Sequence, residues 1–281
     1  MGEVVKTEMK IDGMTFSVRE AGMENKGELI VFLHGFPESS IIWEETMKKC
    51  ADLGYRCIAP DQRGYSKGAR PEGYENYAVN ILAEDVFKFA GNEKIHLVGH
   101  DFGAVVGWTA VAMHPEKIIS WTALSVPYWP AYFWAIQNDP EQQKKGAYVK
   151  MFQEPGRPEQ ILAANDYAAL RKLWTGFDEK IIKEYLGIFS SDKALTSVVN
   201  WYRALFMVNS GVQYSDVNVP TLFIWGNQDL AIGRAGVEKS HEYMKGEYQF
   251  KELNAGHWLT EFNEPEISSL IIDHINKYCE K

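Results

Sequence analysis

Polar and apolar positions alternate in two short segments near the start of the chain, residues 4–11 and 14–20, on either side of Asp12-Gly13. A period of two puts successive side chains on opposite faces of a strand, and Asp-Gly suits the positive φ angles of a tight turn, so the pair predicts a hairpin. Residues 29–33 (Leu-Ile-Val-Phe-Leu) are apolar throughout, too short for a helix and suited to a strand covered on both faces. Ser39 or Ser40 can cap a helix running to about Leu53, ahead of Gly54. The rhythm then repeats as strand 56–60, amphipathic helix 77–89, strand 95–98, helix 102–113 and strand 118–124. Buried strands alternating with helices predict an α/β architecture: a mainly parallel central sheet with helices on both faces.

The alternation stops at Pro127. From there to about Val217 the pattern is helical and rich in aromatics, with no buried strand, and it resumes as strand 221–225, helix 234–244, strand 248–253 and helix 267–278. Residues 1–126 and 217–281 are therefore expected to form one α/β core, interrupted by an all-helical cap over 127–216. Sheets of this kind bind ligands outside the carboxyl ends of their strands, where such a cap would enclose them.

Composition narrows the function classes. A formal net charge of −9, from 29 basic and 38 acidic residues, opposes a nucleic-acid or anionic-membrane partner, since both need a basic face. No apolar run approaches the ~18 residues of a membrane span, and the opening Met-Gly-Glu-Val-Val-Lys resembles neither a secretion nor an acylation signal. Cys50, Cys57 and Cys279 are odd in number and lack metal-ligand spacing. A reducing cytoplasm is the expected compartment, with the protein a monomer or homodimer. His96 and His100 stand four apart, but on a strand and turn with no following acid, and dinucleotide and P-loop fingerprints are absent. No metal and no cofactor are expected. His34 and the run Asp61-Gln62-Arg63-Gly64 read as scaffold that braces loops.

Catalytic chemistry is suggested at four places. Gly99-His100-Asp101-Phe102-Gly103-Ala104 runs from a predicted strand into a predicted helix, with small residues flanking Asp101; a sharp strand-to-helix turn needs such neighbours to expose one side chain. His34-Gly35-Phe36-Pro37 follows the strand at 29–33, Asp229 follows a late strand in Trp225-Gly226-Asn227-Gln228-Asp229, and His257 follows the last in Asn254-Ala255-Gly256-His257-Trp258. Nucleophile, acid and histidine in that order, each at a strand end, resemble the α/β-hydrolases, and the resemblance covers nearly the whole chain.

The elbow carries Asp where Ser is usual. A carboxylate that attacks a saturated carbon leaves an ester, which water can cleave; a serine would leave an inert ether. Asp101 therefore points to epoxides or alkyl halides, with Asp229 orienting His257 as the base for the hydrolytic water and the Phe36 and Phe102 amides stabilising the oxyanion. Haloalkane dehalogenases commonly place a Trp after the nucleophile as a halide donor, and fluoroacetate dehalogenases place arginines around it; Phe102, Val105 and Val106 supply neither. Asn200-Trp201-Tyr202-Arg203, and Tyr148 with the run Phe152-Gln153-Glu154-Pro155-Gly156, resemble instead the two cap segments of soluble epoxide hydrolases that supply ring-opening tyrosines. That resemblance implies Tyr148 and Tyr202 as the pair, an apolar epoxide and water as reactants and a vicinal diol as product. Pro37, Trp129, Trp134, Trp201 and Trp258 are expected to line the substrate pocket. The alternatives are a haloalkane or haloacid dehalogenase of the same fold and a non-catalytic ligand receptor.

Overall fold

The computed structural model describes residues 2–91, 93–207 and 209–279. Strands β1 (Val5–Ile11) and β2 (Met14–Ala21) form the hairpin around Asp12-Gly13, and β3 (Leu29–Leu33) is buried along its whole length. A 3₁₀ turn over Ser40–Trp43, capped by the Ser39 hydroxyl, precedes α1 (Glu44–Asp52), so the single helix expected here is split. There follow β4 (Arg56–Pro60), α2 (Val79–Ala90), β5 (Ile95–His100), α3 (Phe102–Met113) and β6 (Ile118–Leu124).

Between β6 and β7 every element among the described residues is a helix: α4 (Trp129–Asn138), α5 (Pro140–Lys145), α6 (Ala147–Phe152), α7 (Arg157–Leu173), α8 (Glu179–Phe189) and α9 (Ala194–Met207). Helix α7 is broken at residues 164–167, where Asn165, Asp166 and Tyr167 have positive φ. The chain then returns to the sheet with β7 (Thr221–Gly226), α10 (Arg234–Ser240), β8 (Tyr248–Leu253), α11 (Leu259–Phe262) and α12 (Glu264–Asn276).

The eight strands lie in the order β1-β2-β4-β3-β5-β6-β7-β8. β1 and β2 run antiparallel to their neighbours and the rest are parallel, giving the α/β-hydrolase fold. Central strands read as unbroken apolar runs because helices cover both faces; helix α3 is apolar on every side for the same reason and buried from Phe102 to Val111. Gly107 lets α3 approach the sheet, since a β-carbon there would overlap the Trp121 ring.

Helix α4 packs on α10: the Tyr128 N–H before it donates to Ser240 Oγ (3.1 Å), and Gly236 faces Ala135 and Pro127. Helices α5–α9 form the insert over the sheet's carboxyl end. Trp201 Nε1 donates to Arg63 O (2.7 Å) and Trp174 Nε1 to Pro37 O (3.0 Å), while Arg19 pairs with Glu184 (2.5 Å), so insert and core are tied by several polar contacts. The bracing expected of 61–64 is present: Arg63 makes two hydrogen bonds to Asp85 (2.7 and 2.8 Å), and Asp61 accepts from the Ser40 amide (3.0 Å) and hydroxyl (2.6 Å). No helix among the described residues is long and apolar enough to cross a membrane.

Candidate active site

Because β3, β5, β6, β7 and β8 are consecutive in the sheet, the loops after them open side by side. Asp101 stands between β5 and α3 with φ 50° and ψ −120°, a conformation strained for a residue with a β-carbon and typical of a nucleophile elbow. Gly35 makes room for it, since a β-carbon at Gly35 would overlap the Asp101 carboxylate. The Phe36 N–H donates to Asp101 Oδ1 (2.8 Å), while Oδ2 lies 3.4 Å from His257 Nε2. The two oxygens are thus inequivalent: one is held by the backbone and the other faces the base. The Phe102 N–H belongs to the first turn of α3, whose amides have no intrahelical acceptor.

His257 Nδ1 donates to Asp229 Oδ2 (2.9 Å), and Asp229 Oδ1 accepts the Ala231 and Ile232 amides (2.8 and 3.0 Å). Burial works to raise the Asp229 pKa, but the His257 charge and hydrogen bond, with those from Ser125 and the Ala231 amide, outweigh it and hold it at about 2. Burial likewise opposes ionisation of Asp101, yet the charge and hydrogen bond of His257, His100 and the Phe36 amide keep its pKa below the ordinary carboxylate value. Desolvation disfavours a charged His257, and the carboxylates on either side of it overcome this and raise its pKa well above the usual range. All three shifts run in the direction that favours two carboxylates flanking an imidazolium.

Tyr148 on α6 and Tyr202 on α9 meet above Asp101, their ring centroids 6.0 Å apart. Burial, reinforced by neighbouring tyrosines and by Asp101, pushes both phenols well above their ordinary pKa, so both are neutral hydrogen-bond donors. Both line the same two apolar cavities as Asp101. Pro37 and Trp258 line one of these, and Trp129 the other.

Two tryptophans expected at the pocket lie elsewhere. Trp201 is fully buried beneath it, its indole N–H spent on Arg63 O and its ring 4.8 Å from Phe102 between centroids. Trp134 is exposed on the outer face of α4, under the Lys239 ammonium. Five residues along a helix is an offset of about 140°, so Trp129 and Trp134 cannot both face one cavity.

Sequence reasoning also missed several residues. The hydroxyl of Ser125, in the loop after β6, donates to Asp229 Oδ2 (2.7 Å) and lies 3.0 Å from His257 Nδ1; that loop could have supplied the acid but holds no carboxylate, and a supporting hydroxyl there carries no sequence signal of its own. Buried Glu38 pairs with His100 Nδ1 (2.9 Å), and His100 Nε2 meets the backbone carbonyl of His257 (2.9 Å), tying the loop after β3 to the base. Burial disfavours a charged His100, but Glu38 prevails and raises its pKa to about 8. Tyr132 on α4 is a further buried phenol on the cavity wall. A clue to Glu38 was its position, four residues after His34 in a loop already implicated.

A strained carboxylate backed by an acid–histidine pair, each on its own strand end, is the arrangement of the α/β-hydrolases. The family model described as alpha/beta hydrolase fold matches residues 28–264, and the chain belongs to that family. It is 32% identical over 276 residues to the AB hydrolase superfamily protein YfhM of Bacillus subtilis (strain 168), covering 94% of this chain and 95% of that protein. Epoxide hydrolase 3 of Xenopus tropicalis is 30% identical over 284 residues, 96% of this chain and 77% of its own. Among solved structures, an inhibitor complex of Bacillus megaterium epoxide hydrolase superposes with a TM-score of 0.87 at 24% identity, covering 96% of this chain and all of that one. Epoxide hydrolase VrEH1 from Vigna radiata gives 0.83 at 25% identity, with 98% of each chain covered. The protein is an α/β-hydrolase related to epoxide hydrolases.

Proposed function

We propose that the protein hydrolyses an apolar epoxide to a vicinal diol through a covalent ester on Asp101. The observation that carries this reading is a carboxylate and two phenols lining one apolar cavity. A nucleophile and a pair of acids are what opening a strained C–O–C ring at a saturated carbon requires. Residues 127–216 act as the cap that delivers the phenols, and Pro37, Trp129 and Trp258 form part of the substrate wall.

Asp101 Oδ2 attacks one ring carbon, the C–O bond breaks, and the departing oxygen takes the proton of one phenol, Tyr148 or Tyr202, leaving it a tyrosinate while the other phenol hydrogen-bonds the new hydroxyl. Esterification removes the negative charge beside His257 Nε2, so the imidazolium gives up its proton, which restores the phenol that protonated the departing oxygen, and becomes a base held in place by Asp229 and Ser125. His257 then takes a proton from water, and the hydroxide adds to Cγ of Asp101. The negative charge collects on Oδ1, where the Phe36 amide already donates and the Phe102 amide adds a second N–H. Collapse expels the diol oxygen, which picks up the proton from His257, and the water proton left on the Asp101 carboxyl passes to His257 to restore the carboxylate and imidazolium. The Trp174 and Trp201 indoles are committed to backbone carbonyls, so neither serves a halide.

A single turnover of styrene oxide in ¹⁸O-water tests the reading by mass analysis. Label is expected in the protein at Asp101 with the first diol unlabelled, and H257Q should accumulate one covalent equivalent of substrate. Label entering the first diol directly removes Asp101 as nucleophile. Halide release from a haloalkane panel without diol from epoxides selects the dehalogenase alternative.

A further inference from the structure

The cavity above Asp101 has two unequal arms. They share Asp101, Tyr148, Tyr202 and Ala231, the residues that bracket the reacting atoms. One arm holds about 220 Å³ and runs between Phe152, Leu162, Leu173 and Trp258, on the His257 side. The other holds about 30 Å³ where Val105, Val126, Leu205 and Ile232 close around it. Beyond that neck, past Tyr132, Val149 and Phe206, the space opens again to about 480 Å³ beside Gln142, Gln143 and Lys150.

A cavity of about 150 Å³ lined by aliphatic and aromatic side chains accepts benzene, whereas a water molecule needs only about 10–15 Å³. The larger arm therefore holds an aryl ring with a few additional carbons. The neck admits a methyl group or a water or two, and no ring. An epoxide ring seated at the junction directs the substituents of its two carbons in opposite directions when they are trans.

We propose that the site selects epoxides bearing one bulky apolar group, with nothing larger than methyl on the other ring carbon, and that the neck is a water passage. The proposal rests on the epoxide-opening reading above. The bulky group fills the apolar arm beside His257, while the neck connects the reacting atoms to a cavity with amide and ammonium side chains.

The test is the rate of diol formation by the purified full-length protein with propylene oxide, styrene oxide, trans-β-methylstyrene oxide and trans-stilbene oxide. Styrene oxide and its β-methyl relative should agree in kcat/KM within about tenfold, and trans-stilbene oxide should fall at least about 100-fold below them, as a group too large for its subsite dictates. Leu205→Ala and Ile232→Ala, made separately, should each raise the trans-stilbene oxide to styrene oxide ratio about tenfold, and Leu173→Trp should lower styrene oxide relative to propylene oxide. Trans-stilbene oxide turned over within about threefold of styrene oxide overturns the selectivity and leaves the epoxide chemistry standing. A ratio unmoved in both folded neck variants overturns the assignment of the neck. No diol from any of the four, propylene oxide included, overturns the epoxide reading and this inference with it.

Discussion

Asp101→Asn tests whether covalent chemistry at Asp101 switches the state of His257. Carboxylate and imidazolium stand 3.4 Å apart, Oδ2 to Nε2, and both are buried. Coulomb's law with an effective dielectric of about 20 assigns about 5 kcal/mol to unit charges at that separation. Asparagine removes the negative charge, as an ester would, with little change of shape. Loss of a stabilising anion disfavours the imidazolium, so the His257 pKa must fall, leaving Asp229 as its one charged partner. The assay is an NMR pH titration of protein carrying ¹⁵N-labelled histidine, with the His257 signals assigned by their absence from H257Q. Wild-type His257 should hold its proton well above the ordinary histidine range, and the D101N midpoint should lie far below the wild-type one. Midpoints within about half a pH unit of each other, less than 1 kcal/mol of coupling, would refute the switch. The timing of base catalysis would then need another cause.

Gly107→Ala sets helix propensity, which favours Ala by up to about 1 kcal/mol, against overlap with the Trp121 ring. Packing should prevail, with a net loss of about 1–3 kcal/mol in urea unfolding; a gain would show that α3 can shift on the sheet. Arg203 donates to both Glu159 oxygens (2.8 and 3.1 Å) and to Glu154 O (3.0 Å), clamping the start of α7 to the helix that carries Tyr202. R203A should lose about 3 kcal/mol of stability and slow ester formation more than ester hydrolysis in rapid-quench experiments, and equal slowing would refute its role in seating the phenols. Burial lowers the pKa of His96, whose Nδ1 meets Ser120 Oγ (2.7 Å), to about 4. The unfolded chain therefore binds that proton first as pH falls below about 6.5, and unfolding free energy should drop about 2 kcal/mol more by pH 5 in the wild type than in H96N. An identical pH dependence in the two proteins would refute it.

Much of the site was legible because each triad residue follows a strand of obvious pattern: Asp101, Asp229 and His257 could be placed by counting strands, and the helices at 102–113 and in the insertion by periodicity. Tyr148 and Tyr202 needed the resemblance of their segments, since aromatic periodicity does not separate a phenol at a cavity from one in a core. Ser125 was invisible for a different reason. Its partner Asp229 is 104 residues away, and their meeting depends on β6 and β7 being neighbours in the sheet. Glu38 and His100 likewise meet only once β3 lies beside β5. Trp201 and Trp134 show the converse limit, because a helix's rotation about its axis is set by what it packs against. The split before α1 reflects local geometry: Ser39 caps a 3₁₀ turn, and the α-helix begins only at Glu44.

Under the reaction proposed here, the backbone's hold on one oxygen of Asp101 would give the protein a memory for isotopes. In the reaction proposed here, Oδ2 leaves with each diol and an oxygen from water replaces it, while Oδ1 stays on the Phe36 amide. If the carboxylate cannot rotate between cycles, the newly arrived oxygen is always the next to leave. In ¹⁸O-water the first diol would carry no label and the second would be fully labelled, with the Oδ1 atom never exchanged. Rotation faster than turnover would instead make either oxygen the nucleophile, and the second diol would be labelled only in part. Under that reaction, one 2.8 Å hydrogen bond would determine whether successive products record the order of events at a single carbon atom or an average over it.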